Sequence, residues 1–176
     1  MGVYPTSEGK TSPEAIPEAL RARRRWMGAR LVRRKDGRTD KPPFRVVSGK
    51  PIIKCDKTNP DNWATFAEAE AALERGVVDA IGFCIAAEDP LFAVDLDHAV
   101  NNDTGEVHPA AAEIVHTLAT YCETSISGDG LHLFGEGKKP LYAGCKSNRL
   151  GFSAEVYDAA RFVVVTGERI GRYAEP

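Results

Sequence analysis

The sequence predicts an α+β domain with few helices and many short strands. Apolar runs of strand length recur at Ala80 to Ala86, Leu91 to Val94 and Phe162 to Val165. Helical spacing is confined mainly to Phe66 to Arg75 and Ala110 to Thr120. Clusters of Gly, Pro, Asn and Asp between these runs are of the kind that turns a chain. With 176 residues and 43% hydrophobic content, the chain is long enough to enclose a core as one domain.

Taken in order, Met1 to Ser12 has no apolar period and reads as a loose tail, leaving residues 13–176 as the folded domain. Ser12-Pro13-Glu14 and Pro17-Glu18 start a short helix running toward Arg25. Trp26 to Val32 reads as a strand and Lys35-Asp36-Gly37 as a hairpin turn. The prolines of Lys41-Pro42-Pro43-Phe44 cannot donate to a ladder, which assigns that stretch to an edge or a loop. Thr65 and Glu68 have capping-box spacing at the start of the helix Phe66 to Arg75, and Gly76 lies just past its end. Ala80 to Ala86 is a buried strand, Glu88-Asp89-Pro90 a turn, and the two predict a hairpin with the strand from Leu91 to Asp97. Ala111, Ile114, Val115 and Leu118 set the face of the second helix.

No run of 18 apolar residues and no charged-then-apolar leader is present, so a cytoplasmic protein without a membrane partner is expected. Cys55, Cys84, Cys122 and Cys145 lack metal-finger spacing and read as reduced, mostly buried thiols. The net charge of -2 conceals segregation: Arg21 to Lys50 holds twelve Lys or Arg against two acids, and Asp61 to Glu123 holds thirteen acids against one Arg. A basic arm beside an acidic centre suits a protein that guides a polyanion past a metal site. The same pattern also suits two segments that neutralise each other across the fold.

Three stretches carry chemistry. In the first, a strand puts i and i+2 on one face, so Asp95 and Asp97 project together while Val94 and Leu96 bury on the other side. Such paired carboxylates call for a divalent cation with hard oxygen ligands, or else form a solvated turn. The second is Ser125 to Phe134, where Gly128 and Gly130 let backbone approach an anion, Ser127 adds a hydroxyl, and His132 alternates with buried Leu131 and Leu133. In the third, Glu155 and Tyr157 share a strand face ahead of Arg161, whose planar guanidinium suits phosphate. The third carboxylate is Glu155, or Asp158 if the loop is one residue different.

In that order, Asp-x-Asp after an apolar strand, Ser-Gly-x-Gly-x-His, then Glu-x-Tyr-Asp with Arg-Phe and Val-Thr-Gly resemble the catalytic domain of the bifunctional primase-polymerases of phages and plasmids, in the archaeo-eukaryotic primase superfamily. The likeness runs from Ile16-Pro17-Glu18-Ala19-Leu20 through Trp63 to Ala69 and on to Val165-Thr166-Gly167.

The resemblance implies a two-layer, RRM-like core with a mixed, largely antiparallel sheet flanked by helices. It implies DNA primase and DNA polymerase activity on single-stranded DNA by two-metal nucleotidyl transfer, with magnesium or manganese bound by Asp95, Asp97 and Glu155. Ser127, Gly128, Gly130, His132 and Arg161 would hold the triphosphate of a dNTP or NTP, with Phe162 near the sugar. Arg24, Arg30, Arg33, Arg34 and Lys41 would follow template or primer. Relatives usually continue into a helical segment and often a helicase, so such a partner outside this chain is expected, and elongation more than de novo priming. A non-catalytic module of a replication initiator is the competing class, but it gives no reason to cluster three carboxylates with a phosphate turn. A nicking relaxase would want His-x-His, which the chain lacks, and a nuclease needs no triphosphate pocket.

Overall fold

The computed structural model describes residues 12–140 and 144–170. Its elements are α1 (Glu18–Arg21), β1 (Trp26–Ala29), β2 (Val32–Arg33), β3 (Thr39–Asp40), β4 (Pro43–Phe44), α2 (Phe66–Glu74), β5 (Ala80–Ile85), β6 (Leu91–Asp97), α3 (Pro109–Leu118), β7 (Tyr121–Thr124), β8 (Leu131–Glu136), β9 (Lys146–Ser147), β10 (Ser153–Tyr157) and β11 (Arg161–Val165). The α+β class is as expected. In detail the strands form two sheets, ordered β11-β5-β1-β4 and β7-β8-β6-β10-β9, with a separate β2-β3 hairpin. Every pairing described is antiparallel rather than mixed.

The apolar runs are continuous because both faces of the strands are covered. Leu91 and Ala93 of β6 join Ile81, Phe83, Val163 and Val165 of the first sheet in one core. Phe83 and Phe134 meet edge to face across it, 6.5 Å between ring centroids. Val94 and Leu96 point the other way, onto Ala111 and Val115 of α3. The second sheet is thus a layer between α3 and the first sheet.

The capping box of α2 forms in both directions: Thr65 accepts from the Glu68 amide, and the Glu68 carboxylate accepts from the Thr65 amide. Trp26 is fully buried under α2, its indole nitrogen donating to Leu20 O and its ring edge-on to Phe66 and Phe83.

Three expectations are corrected. β5 and β6 form no hairpin with each other, because both edges of β5 are taken by β1 and β11; the turn between them carries the chain from one sheet to the other. Arg23 and Arg25 hold that turn through Asp89, and Arg25 also pairs with Glu88. The strand from Trp26 stops at Ala29, since Leu31 N is captured by Asp79 Oδ2 at 2.8 Å. The first helix ends at Arg21, four residues short of Arg25.

Residues 1–11 of the expected tail lie outside the described residues. Ser12 is anchored, its amide donating to Thr166 O and its hydroxyl to Glu168. Cys84 and Cys122 are buried, and burial pushes both thiols up to about 12, while Cys55 is half-buried and Cys145 exposed; all four are free. Among the described residues no helix is long and apolar enough to cross a membrane.

The first sheet is packed tightly at Gly82, where an added Cβ would stand 2.5 Å from Val163 O and 2.6 Å from the Phe162 ring. Gly82→Ala is expected to lose about 1–3 kcal/mol in urea unfolding, the usual cost of overpacking. Gly144→Ala, where an added Cβ meets nothing within 4 Å, should stay within about 0.5 kcal/mol of wild type.

Candidate active site

Strand register builds the site. Glu123 of β7 stands opposite His132 of β8, His132 opposite Asp95 of β6, Asp95 opposite Glu155 of β10, and Glu155 opposite Lys146 of β9. Five ionisable side chains thus form one row across the sheet, at strand spacings of about 4.8 Å. Two-residue alternation sets this row on the face that carries Leu91, Ala93 and Tyr121, the face turned toward the first sheet. Asp97, opposite Ser153, belongs to the same face.

Arg161 enters from the first sheet. Its Nη2 lies 3.4 Å from Asp95 Oδ2 and 3.3 Å from Glu155 Oε2, and its guanidinium sits 4.2 Å from the centre of the Tyr157 ring. Glu155 also receives Lys146 Nζ at 2.7 Å and the Tyr157 hydroxyl at 2.5 Å. Burial would raise the Glu155 carboxyl, but Lys146, Tyr157 and Arg161 outweigh it and hold the group below its ordinary value. Burial and the Glu155 hydrogen bond push Tyr157 up to about 12. Asp97 is shifted the other way: burial, then the charges of Asp95 and Glu155, raise its carboxyl, and His98 and Lys41 only partly oppose them.

On the other side of Asp95, His132 is buried, with Nε2 3.7 Å from Asp95 Oδ1 and Nδ1 3.2 Å from Glu123 Oε1. The turn from Ser125 to Gly130 lies against the end of β6. Val100 N donates to Asp129 O, and His98 Nδ1 lies 2.6 Å from Asp129 Oδ2. The left-handed Gly128 (φ 83°) permits this turn. The amides of Gly128 and Gly130 are already bonded to Ser125, and the Ser127 hydroxyl to Asp129. The turn's glycines therefore serve its shape, and their amides are not free for an anion.

The structure brings Asp95, Asp97, His132, Glu155 and Arg161 together. Asp158 stands apart, in the turn after β10, where its carboxylate accepts from the Lys139 amide. Phe162 projects from β11 on the face opposite Arg161, its ring over Gly82, and packs with Ile126 of the turn onto Ala29, Ala80 and Val164. Among the basic residues, Arg30, Arg33, Arg34 and Lys41 gather where β1 ends and the hairpin begins. Arg30 donates to Val77 O and stacks on Phe44, and Arg34 pairs with Asp40. Arg24 lies at the other end of β1, paired with Glu68.

The carboxylates suit a hard divalent ion: three lie on one face, and the buried Ser153 Oγ, opposite Asp97, has no hydrogen-bond partner among the described residues. Among the described residues, no three His, Cys, Asp or Glu side chains already converge as a finished cage. Lys146, Tyr157 and Arg161 occupy the Glu155 oxygens.

Sequence reasoning missed Glu123, Lys146 and Ser153. The first had a signal: a hairpin centred on Ser127-Gly128 places Glu123 opposite His132. Lys146 had none, because its strand is only two residues long.

No protein-family profile matches the chain. It is 34% identical over 151 residues, 85% of its length, to the DNA primase-polymerase of Nitratiruptor phage NrS-1, and the match spans 20% of that protein. The matched segment has the size of the domain described above, so the chain belongs to the primase-polymerase family through this shared domain.

Proposed function

We propose that the chain performs template-directed nucleotidyl transfer, extending primers on single-stranded DNA with nucleoside triphosphates. The observation that carries this reading is the row His132, Asp95 and Glu155, with Asp97 on the same face and Arg161 set over it from the facing sheet. It combines a carboxylate cluster with an imidazole and a guanidinium, which together suit a metal-bound triphosphate. The DNA primase-polymerase named among its relatives points the same way.

In this reading Asp95, Asp97 and Glu155 hold two divalent ions, magnesium or manganese. Such ions supply activation of the primer's 3'-hydroxyl and neutralise charge on the departing pyrophosphate. Arg161 and His132, as an imidazolium donating from Nε2, bind phosphate oxygens, and Arg161 gives up its contacts to Asp95 and Glu155 as it does so. Lys146 likewise releases Glu155. The Ser125 to Gly130 turn, tied to His98 through Asp129, shapes the wall along the nucleotide. No side chain acts as a covalent nucleophile. Arg30, Arg33, Arg34 and Lys41 offer a basic path for the strand backbone, and Arg24, paired with Glu68, lies at the other end of β1.

Extension of a labelled primer on single-stranded DNA with manganese or magnesium and four deoxynucleotides tests the proposal. Template-length products are expected from wild type and none from Asp95→Ala/Asp97→Ala. Equal products from both overturn the assignment, and no product from either, with DNA still bound, favours a non-catalytic binding module.

Asp97 yields a second prediction. Its carboxyl is raised in the folded state, so ionisation costs folding stability as pH rises through the carboxylate range, and the cost is fully present at neutral pH. Asp97→Asn should therefore melt above wild type in EDTA at neutral pH. Manganese should raise the melting temperature of wild type and leave that of Asp97→Asn nearly unchanged.

A further inference from the structure

Glu123 is fully buried, an unusual place for a carboxylate unless its oxygens are met by donors. They are met from three separate parts of the chain. The Tyr121 hydroxyl donates to it at 2.8 Å, the amides of Thr166 and Gly167 at 3.1 and 2.9 Å, and His132 Nδ1 lies 3.2 Å away. Gly167 is left-handed (φ 72°), and a Cβ there would stand 2.0 Å from Ser12 O, so the backbone that presents these two amides admits only glycine at that position. Burial and the Glu123 charge in turn push the Tyr121 hydroxyl far above its ordinary value, which keeps it a donor.

A carboxylate that collects two amide protons and a phenol proton has none to give, so His132 Nδ1 is the donor in its contact with Glu123. That bond fixes the ring position and uses Nδ1–H, so Nε2 is the atom that faces the site. Nε2 is then directed at the acidic row, 3.7 Å from Asp95 Oδ1, too far for a hydrogen bond and so available to another group.

We propose that Glu123 is a positioning residue for the incoming nucleotide. It holds His132 from behind as acceptor of Nδ1–H, so that Nε2–H of the doubly protonated ring faces the triphosphate and donates to a phosphate oxygen. Through Thr166 and Gly167 it also fixes that ring relative to β11, the strand that delivers Arg161. One buried carboxylate thereby sets the spacing between the two phosphate-binding groups, although it touches no substrate. This inference rests on the nucleotidyl-transfer reading for its substrate, but the Glu123–His132 link stands on geometry alone.

The test combines primer-extension kinetics with ring-nitrogen NMR on wild type, Glu123→Gln, His132→Gln and the double variant. Glu123→Gln is expected to raise KM for the deoxynucleotide by about 10-fold or more, the scale for partners that orient liganding histidines, with a smaller change in kcat. The double variant should be no worse than His132→Gln. With the nucleotide bound, the wild-type ring, assigned by its loss in His132→Gln, should carry protons at both nitrogens, and Glu123→Gln should lose the hydrogen-bonded Nδ1–H signal. Glu123→Asp, which keeps the charge but withdraws it from Nδ1, should show the same pattern and replaces the Gln variant if that fails to fold. A Glu123 variant that lowers only the melting temperature, with KM unchanged or with effects that multiply with those of His132→Gln, overturns the proposal. Should wild type extend no primer, the nucleotidyl-transfer reading fails by itself, and the nitrogen spectrum still decides whether Glu123 positions His132.

Discussion

The site depends on one lateral register. Glu123, His132, Asp95, Glu155 and Lys146 stand opposite one another only if four strand pairings are all in step. A one-residue slip of β6 would turn Asp95 and Asp97 into the α3 layer and Val94 and Leu96 into the site, which makes the apolar alternation of β6 the determinant of where the chemistry lies. The remaining architecture can be read as a response to placing charge on a largely buried face. Burying a carboxylate is costly without partners, and each one here has them: Glu123 collects amides from the end of β11, Glu155 collects Lys146 and Tyr157, and Asp95 receives Arg161 from the facing sheet. Asp97 is the exception, crowded by like charges at the exposed end of β6, and is the position where a cation would bring the largest relief.

Features that depend on local alternation or capping were legible in the sequence. The Asp-x-Asp pair, the Thr65–Glu68 capping box and the turn from Ser125 to Gly130 each follow from spacing within ten residues. Features that depend on which strands become neighbours were not. The run from Ala80 through Asp97 reads locally as a hairpin, yet β5 and β6 belong to different sheets, because pairing is decided by edges supplied from β1 and β11, far away in sequence. Glu123 is a similar case: it looks like an ordinary acid in a short strand until the end of β11 arrives to fill its oxygens.

Charge segregation along the chain has two outcomes at once. Arg23, Arg24 and Arg25 pair with acids of the central segment, so that part of the basic arm is spent inside the fold, securing the turn after β5 and the start of α2. Arg30, Arg33 and Lys41 lie beyond those pairs, at the end of the first sheet from which the Lys41 charge reaches Asp97. Charge counts by themselves do not separate these roles, since the distinction rests on which acid each guanidinium meets.

Under the proposed function, this charged face receives a metal-bound triphosphate. Calorimetric titration of the chain with a non-hydrolysable deoxynucleoside triphosphate analogue, with manganese and then with EDTA, tests it most directly. Saturable binding of one analogue per chain is expected, requiring manganese and lost in a folded Asp95→Ala/Asp97→Ala variant. Binding of equal strength in EDTA, or unchanged binding by that variant, would contradict it.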